Sequence, residues 1–90
     1  MPKPEFDPAV DPLAPSVPRL TPYDDLHRIT YLRLLDADAE GADWQEVAQI
    51  VLHLDPQSQP DVARCTYDSH LTRAKWMTEV GYRHLLRGGI

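Results

Sequence analysis

The chain has 90 residues, of which 42% are apolar and 26% charged, and its formal net charge is −5. This length allows one domain with a small core and leaves no room for a catalytic cleft between two lobes. The acidic balance argues against strong nucleic-acid binding, because proteins that bind a duplex use Lys and Arg to displace counterions from its phosphates.

No apolar run approaches the roughly 20 residues that a membrane-spanning helix needs. Early prolines interrupt any signal-peptide pattern, and the one cysteine, Cys65, cannot form an internal disulfide. A lone thiol agrees with a reducing compartment. We therefore expect a cytoplasmic protein without a membrane partner.

Residues 1–20 form a proline-rich arm, since seven of the nine prolines fall within the first 22 residues. Two interpretations stay open. The first, which we prefer, is a disordered and flexible lead-in. The second is a semi-rigid arm with polyproline character that lies along the domain or a partner. Its weak apolar anchors would be Val10, Leu13 and Val17.

The first helix is predicted to begin after Thr21, with Pro22 at its first position and Asp24 completing a capping box. Gly41 is predicted to end it. Apolar residues at three- and four-residue spacing indicate the inward face. These residues are Leu26, Ile29, Leu32, Leu35 and Ala39, with Tyr31 and Leu34 beside them.

A second helix is predicted to follow Asp43, which caps it together with Glu46. Its inner face would consist of Trp44, Val47, Ala48 and Val51. A loop from Leu54 to Pro60 leads to a third helix that runs to about Val80 and stops at Gly81. The inward stripe of the third helix would be Val62, Cys65, Ser69, Thr72, Trp76 and Val80, and Leu85 or Leu86 would fold back onto the core.

Residues 21–90 are therefore predicted to be an all-α, three-helix bundle of the helix-turn-helix type, without strands. No pattern indicates an enzyme, a cofactor or a metal site. The four histidines are widely spaced and form no ligand pairs, and no glycine-rich phosphate loop is present. The histidines are His27, His53, His70 and His84.

For a DNA-binding motif, the predicted third helix carries little net positive charge. The third helix offers the basic residues Arg64, Arg73 and Lys75, and acids on the same helix dilute them. These acids are Asp61, Asp68 and Glu79. We expect no DNA binding or only weak binding, and a protein partner instead.

From residue 26 onward the chain resembles the RovC-like DNA-binding domains, helix-turn-helix variants found in regulators of mobile elements and secretion systems. Three motifs carry the resemblance: Leu32-x-x-Leu35-Asp36-Ala37, Gly41-Ala42-x-Trp44-x-Glu46-Val47-Ala48 and Val80-Gly81-Tyr82-Arg83-x-Leu85-Leu86. A short, stand-alone and acidic member is similar to the QseM-type antiactivators. That resemblance implies a protein that binds a LuxR-type quorum-sensing activator and an activator with a related domain. It would thereby repress conjugative transfer of an integrated element.

Charge and predicted exposure suggest two partner-binding surfaces. The first is an acidic face consisting of Asp24, Asp25, Asp36, Asp38 and Glu40, which would meet a basic surface of the activator. The second is a strip on the third helix consisting of Arg64, Tyr67, Asp68, Arg73 and Lys75. The alternatives are a direct DNA-binding repressor or excisionase-like factor, and a structural subunit whose third helix pairs with its own copy.

Overall fold

The computed structural model describes residues 9–81; the predicted tail contacts at residues 82–87, with His84, lie outside this range. Within it the chain is all-helical and contains no strand. The helices are α1 (Pro22–Leu26), α2 (Arg28–Ala39), α3 (Trp44–Leu52) and α4 (Pro60–Trp76), and a π-helical turn (Met77–Gly81) extends α4. Helices α2, α3 and α4 pack against one another in pairs. This confirms the predicted all-α bundle.

The predicted helix starts are confirmed by their caps. The Thr21 hydroxyl accepts from the Asp24 backbone N–H at 3.2 Å, and the Asp24 carboxylate accepts from the Thr21 backbone N–H at 2.9 Å. Asp43 caps α3 by accepting from the Glu46 backbone N–H at 3.4 Å. Gly41, with φ of +72°, lies just beyond the end of α2, where only glycine adopts this conformation readily.

Two helices end at residues that the sequence pattern did not mark as helix ends. A break at His27, with φ −104° and ψ 21°, divides the predicted first helix into α1 and α2. At the end of α3, His53 adopts a left-handed conformation with φ of 58°, and its backbone N–H donates to the Ala48 carbonyl. Neither break coincides with a glycine or a proline, so local breaker signals did not reveal them.

The inward face of α2 is not the one predicted. Leu26, Ile29 and Leu32 are exposed, whereas Tyr31 and Leu34 are buried, with 2% and 0% of their surfaces accessible. Of the predicted stripe only Leu35 packs on the core, since Ala39 is exposed. The apolar spacing was misleading because the true inner face of α1 and α2 also carries buried polar side chains: Asp24, His27 and Thr30. Asp24 and His27 are hydrogen-bonded in the interior, whereas the Thr30 hydroxyl has no hydrogen-bond partner among the described residues.

Helix α4 is rotated by about one residue from its predicted orientation. Its buried residues are Ala63, Thr66, Tyr67, His70, Arg73 and Ala74. The predicted stripe residues Val62, Cys65 and Thr72 are exposed, and Trp76 is half-buried. Cys65 is therefore not the small buried hydrophobe that the pattern predicted. By contrast, Val47, Ala48 and Val51 of α3 are buried as predicted, with Trp44 half-buried beside them.

Residues 9–20 lie along the domain, as in the second interpretation of the proline-rich arm. Of the three predicted anchors, only Val10 packs against the core; Leu13 and Val17 are exposed. The arm is held mainly by hydrogen bonds of its backbone to helix side chains. The Ala14 N–H donates to the Ser69 hydroxyl at 3.1 Å, and the Ala9 carbonyl lies 2.9 Å from His27 Nε2.

Candidate functional site

A buried ion pair joins α1 to α4. Arg73 Nε lies 3.0 Å from one carboxylate oxygen of Asp24, and Arg73 Nη2 lies 2.7 Å from the other. The remaining guanidinium donors bind the arm carbonyls of Val17 and Arg19, each at 2.7 Å. The two charges neutralise each other and four of the five guanidinium N–H groups have acceptors, which makes burial of two ions tolerable.

The hydrogen bonds to Asp24 determine its protonation. Burial raises the pKa of Asp24, and hydrogen bonds from Arg73, Thr21 and Tyr31 outweigh that effect, so the net pKa lies below its usual value. Burial and the same carboxylate raise the pKa of Tyr31, whose hydroxyl donates to Asp24 at 2.9 Å. Asp24 is therefore a structural carboxylate at neutral pH.

Three residues predicted to be exposed and to contact a partner are buried instead. Asp24 and Arg73 retain 1% and 4% of their accessible surface because each satisfies the other. Tyr67 retains 5% and packs beside Trp44, with ring centroids 5.9 Å apart. Their side chains belong to the interior in this structure, which corrects the predicted exposure of these three.

A second polar chain connects the arm to α4 through α1. The Asp11 N–H donates to the Tyr23 hydroxyl at 2.9 Å, and that hydroxyl lies 2.6 Å from His70 Nε2. His70 Nδ1 lies 2.7 Å from the Thr66 carbonyl. Because a carbonyl only accepts, Nδ1 carries the proton, and Nε2 accepts from Tyr23. Burial lowers the pKa of His70, so its ring is neutral at pH 7.

This neutral histidine is expected to make the domain less stable in mild acid. The pKa of His70 is lower in the folded than in the unfolded chain, where it is about 6.5. Below that pH the unfolded chain binds more protons, so stability falls as the pH decreases. We expect a loss of stability between pH 7 and pH 5 that is smaller in His70→Gln, because this substitution removes the titrating ring. Urea titrations at each pH, with the exposed His53→Gln as control, measure it; identical slopes in all three proteins would contradict the prediction.

An acidic corner lies where α2 ends and α3 begins. Its residues are exposed: Asp36, Asp38, Glu40, Asp43 and Glu46. The last turn of α2 contains no basic residue, and carboxylates there face the negative end of the helix dipole. These carboxylates destabilise the end of α2, whereas Glu46 in the first turn of α3 interacts favourably with the positive end of that helix dipole. Three of the five residues of the predicted acidic face lie in this corner: Asp36, Asp38 and Glu40.

The exposed side of α4 carries no net charge. It presents Asp61, Arg64, Asp68 and Lys75. Arg64 pairs with Asp68 at 3.1 Å, and Lys75 pairs with Asp38 at 3.4 Å, so the strip adjoins the acidic corner. The fifth predicted acid, Asp25, is exposed on the other side of the break at His27 and pairs with Arg28 at 3.3 Å.

Two surface features were missed by the sequence analysis. One is an exposed apolar stripe on α1 and α2. The other is a groove of about 480 Å³ between the arm and α4, with Pro15, Thr72 and Trp76 in its walls. In this groove the Arg73 guanidinium lies over the Trp76 ring, 3.9 Å from its centre. Both features depend on how distant segments pack. Within residues 9–81 no group of three or more His, Cys, Asp or Glu residues is placed to hold a metal ion.

A short α3 followed by a long α4 is the order of helices in helix-turn-helix motifs. The chain matches the family model of the RovC DNA-binding domain, described as "T6SS, Transcription factor, DNA binding domain", over residues 8–87, and it belongs to that family. This family is not a class of enzymes. The match includes most of the proline-rich arm. A search of curated proteins finds no significant match. No helix within residues 9–81 is long and apolar enough to cross a membrane.

Proposed function

We propose that this protein is an antiactivator, a member of a DNA-binding-domain family that binds transcriptional activators in place of DNA. The observation that carries the proposal is the charge of α4. Arg73, one of its three basic residues before the π-helical turn, is neutralised in the interior by Asp24. The exposed side of α4 is left with two cations and two anions, which gives little attraction for phosphates.

The acidic corner supplies the complementary argument for a protein partner. Residues 9–81 contain 6 Lys and Arg residues against 12 Asp and Glu residues, a net charge of −6. Such a surface attracts the basic, DNA-contacting face of an activator and repels a duplex. An activator captured on that face loses its promoter. The unfavourable position of acids at the end of α2 is consistent with selection for binding at that point.

In this proposal, the targets are those that the resemblance to QseM-type antiactivators implies. They are a LuxR-type quorum-sensing activator and an activator that contains a domain of this same family. Silencing them represses conjugative transfer of an integrated element. Asp25, Asp36, Asp38 and Glu40, together with the α4 residues Arg64, Asp68 and Lys75, remain the proposed contacts.

Charge reversal at the corner tests the proposal. We expect Asp36→Lys/Asp38→Lys to weaken capture of the activator about tenfold, because it replaces attraction by repulsion and adds repulsion toward Lys75. Asp11→Lys/Glu79→Lys makes the same change in net charge at two exposed positions elsewhere and serves as the control. Biolayer interferometry with immobilised activator, at two salt concentrations, measures both. Equal affinity of the two variants would show that the acidic corner does not contribute to binding of the activator.

Direct DNA binding is the alternative that the family description favours. It predicts affinity for a duplex that rises steeply as salt falls. The test uses Arg64→Ala/Lys75→Ala, since both residues are exposed, whereas a change at Arg73 would disturb the fold. Gel-shift titration with promoter DNA should show no difference between this variant and the unaltered protein if activators are the target. A marked loss of duplex binding in the variant would support the alternative.

A further inference from the structure

An apolar stripe is exposed on the side of α1 and α2 that faces away from the core. Leu26, Ile29 and Leu32 have 53%, 38% and 63% of their surfaces accessible. Ile29 and Leu32 are three residues apart on α2, so they are neighbours on its surface, and Leu26 is the last residue of α1, just before the break at His27. A contiguous set of large aliphatic side chains in water is unfavourable, and on a soluble domain it marks a surface that becomes covered on binding.

A cleft opens beside this stripe, between α2 and the beginning of the π-helical turn. It has a volume of about 150 Å³, similar to a cavity that accommodates benzene. Its lining is mostly apolar, and Arg28 is the one charged residue in it. The lining residues are Arg28, Tyr31, Leu32, Leu35, Ala74 and Met77. Leu32 belongs to both the stripe and the cleft, so the two features are continuous.

The same helix changes from apolar to acidic toward its C-terminus. One turn beyond Leu32 lies Asp36, and one turn further lies Glu40, both exposed. Toward the N-terminus the charge of Arg28 is balanced by Asp25 at 3.3 Å. The surface therefore presents aliphatic groups and a cleft at one end and the exposed carboxylates of Asp36 and Glu40 at the other.

We propose that this surface binds an amphipathic, basic helix of a protein partner. One aliphatic side chain of that helix enters the cleft, its neighbours cover Ile29 and Leu32, and Lys or Arg residues one or two turns away meet Asp36 and Glu40. This is the helix-on-groove mode of recognition, in which anchors at three- and four-residue spacing supply affinity and flanking charges supply register.

The charges of the domain favour this occupant over others. A second copy is a less suitable occupant, because within residues 9–81 the 12 acidic residues outnumber the 6 Lys and Arg residues and four of those six are in ion pairs: Arg28, Arg64, Arg73 and Lys75. Two copies would also bring their acidic surfaces together. Nucleic acids and anionic membranes present phosphates, which Asp36 and Glu40 repel.

This inference deepens the proposed function, on which it rests for the identity of the partner, and it can fail separately. The antiactivator proposal requires that an activator be captured through acidic residues. The inference requires in addition that Ile29 and Leu32 be covered by a helix. Capture that survives loss of these two side chains would leave the proposed function intact and overturn the inference.

The experiment uses the full chain and a synthetic 18-residue peptide with Leu at helical three- and four-residue spacing and Lys at the flanking positions. Ile29→Ser/Leu32→Ser is compared with Ile50→Ser/Val62→Ser, which removes two aliphatic side chains of similar exposure from α3 and α4. Circular dichroism and thermal melting first establish that both variants are folded. Calorimetry then measures binding of the peptide and of a matched peptide with Glu in place of Lys.

We expect at least a tenfold weaker binding of the Lys peptide to Ile29→Ser/Leu32→Ser, a change below twofold for Ile50→Ser/Val62→Ser, and no binding of the Glu peptide. A photo-crosslinking residue at position 32 should react with the Lys peptide. Equal losses in both variants, equal binding of both peptides, or crosslinks to a second copy or to residues 82–90 in preference to the peptide would each overturn the proposal.

Discussion

Replacing Arg73 by Met is expected to destabilise the domain by about 3–5 kcal/mol, the range found when one partner of a buried ion pair is removed. The carboxylate of Asp24 would stay in the interior without its main counter-charge, and only the hydrogen bonds from Thr21 and Tyr31 would remain. The same change releases the arm carbonyls of Val17 and Arg19. Since domains of this size are stable by about 5–15 kcal/mol, the loss is a large part of the total.

Urea unfolding followed by circular dichroism measures this effect. The control is Arg28→Met, which breaks the exposed pair with Asp25 and should cost less than about 1 kcal/mol. Arg73→Lys retains a charge but not the forked geometry, so its cost should fall between the two. A loss below about 1 kcal/mol in Arg73→Met would mean that the pair contributes no more than a surface contact.

A second large effect is expected in α2, where two leucines exchange the roles that the sequence pattern suggests. Leu34→Ala should cost about 3 kcal/mol, because Leu34 is fully buried and its truncation leaves a cavity in the core. Leu32→Ala should cost less than about 1 kcal/mol, because 63% of the surface of Leu32 is accessible. The two variants remove the same atoms from the same helix, so helix propensity cancels in the comparison.

Chemical denaturation of both variants under identical conditions gives the difference directly. The midpoint for Leu34→Ala should shift to much lower urea, with that for Leu32→Ala near the unaltered protein. The reverse order would restore the inward stripe predicted from apolar spacing. It would also remove the exposed surface on which the proposed helix-binding site depends.

These measurements test the interior of the domain and its proposed binding surfaces separately. The Arg73 and Leu34 variants test whether the polar and apolar interiors are arranged as described. The corner and stripe variants change exposed residues, and their effects on binding are interpretable because the fold does not depend on them. Arg73 in particular cannot be used as a probe of DNA binding, since its loss acts through the interior.

The sequence by itself determined the features that depend on nearby residues. Capping patterns at Thr21 and Asp43 and the position of Gly41 are local, because each involves hydrogen bonds or backbone angles within a few residues. The inner face of α3 was also predictable, since its buried positions are apolar without exception. The acidic charge and the surface corner at residues 36–46 follow from composition and short-range order.

Only the tertiary structure decided which sides of the predicted first helix, which comprises α1 and α2, and of α4 face inward. Asp24 and Arg73 are 49 residues apart, and each is buried only because the other is present. A rule that places polar residues outside therefore misassigns both helices and, with them, Leu32, Cys65 and Tyr67. Docking of the arm has the same origin, since its carbonyls bind side chains that become available only when α1 and α4 meet. Burial of polar groups is a property of pairs brought together by the fold, and no local pattern encodes it.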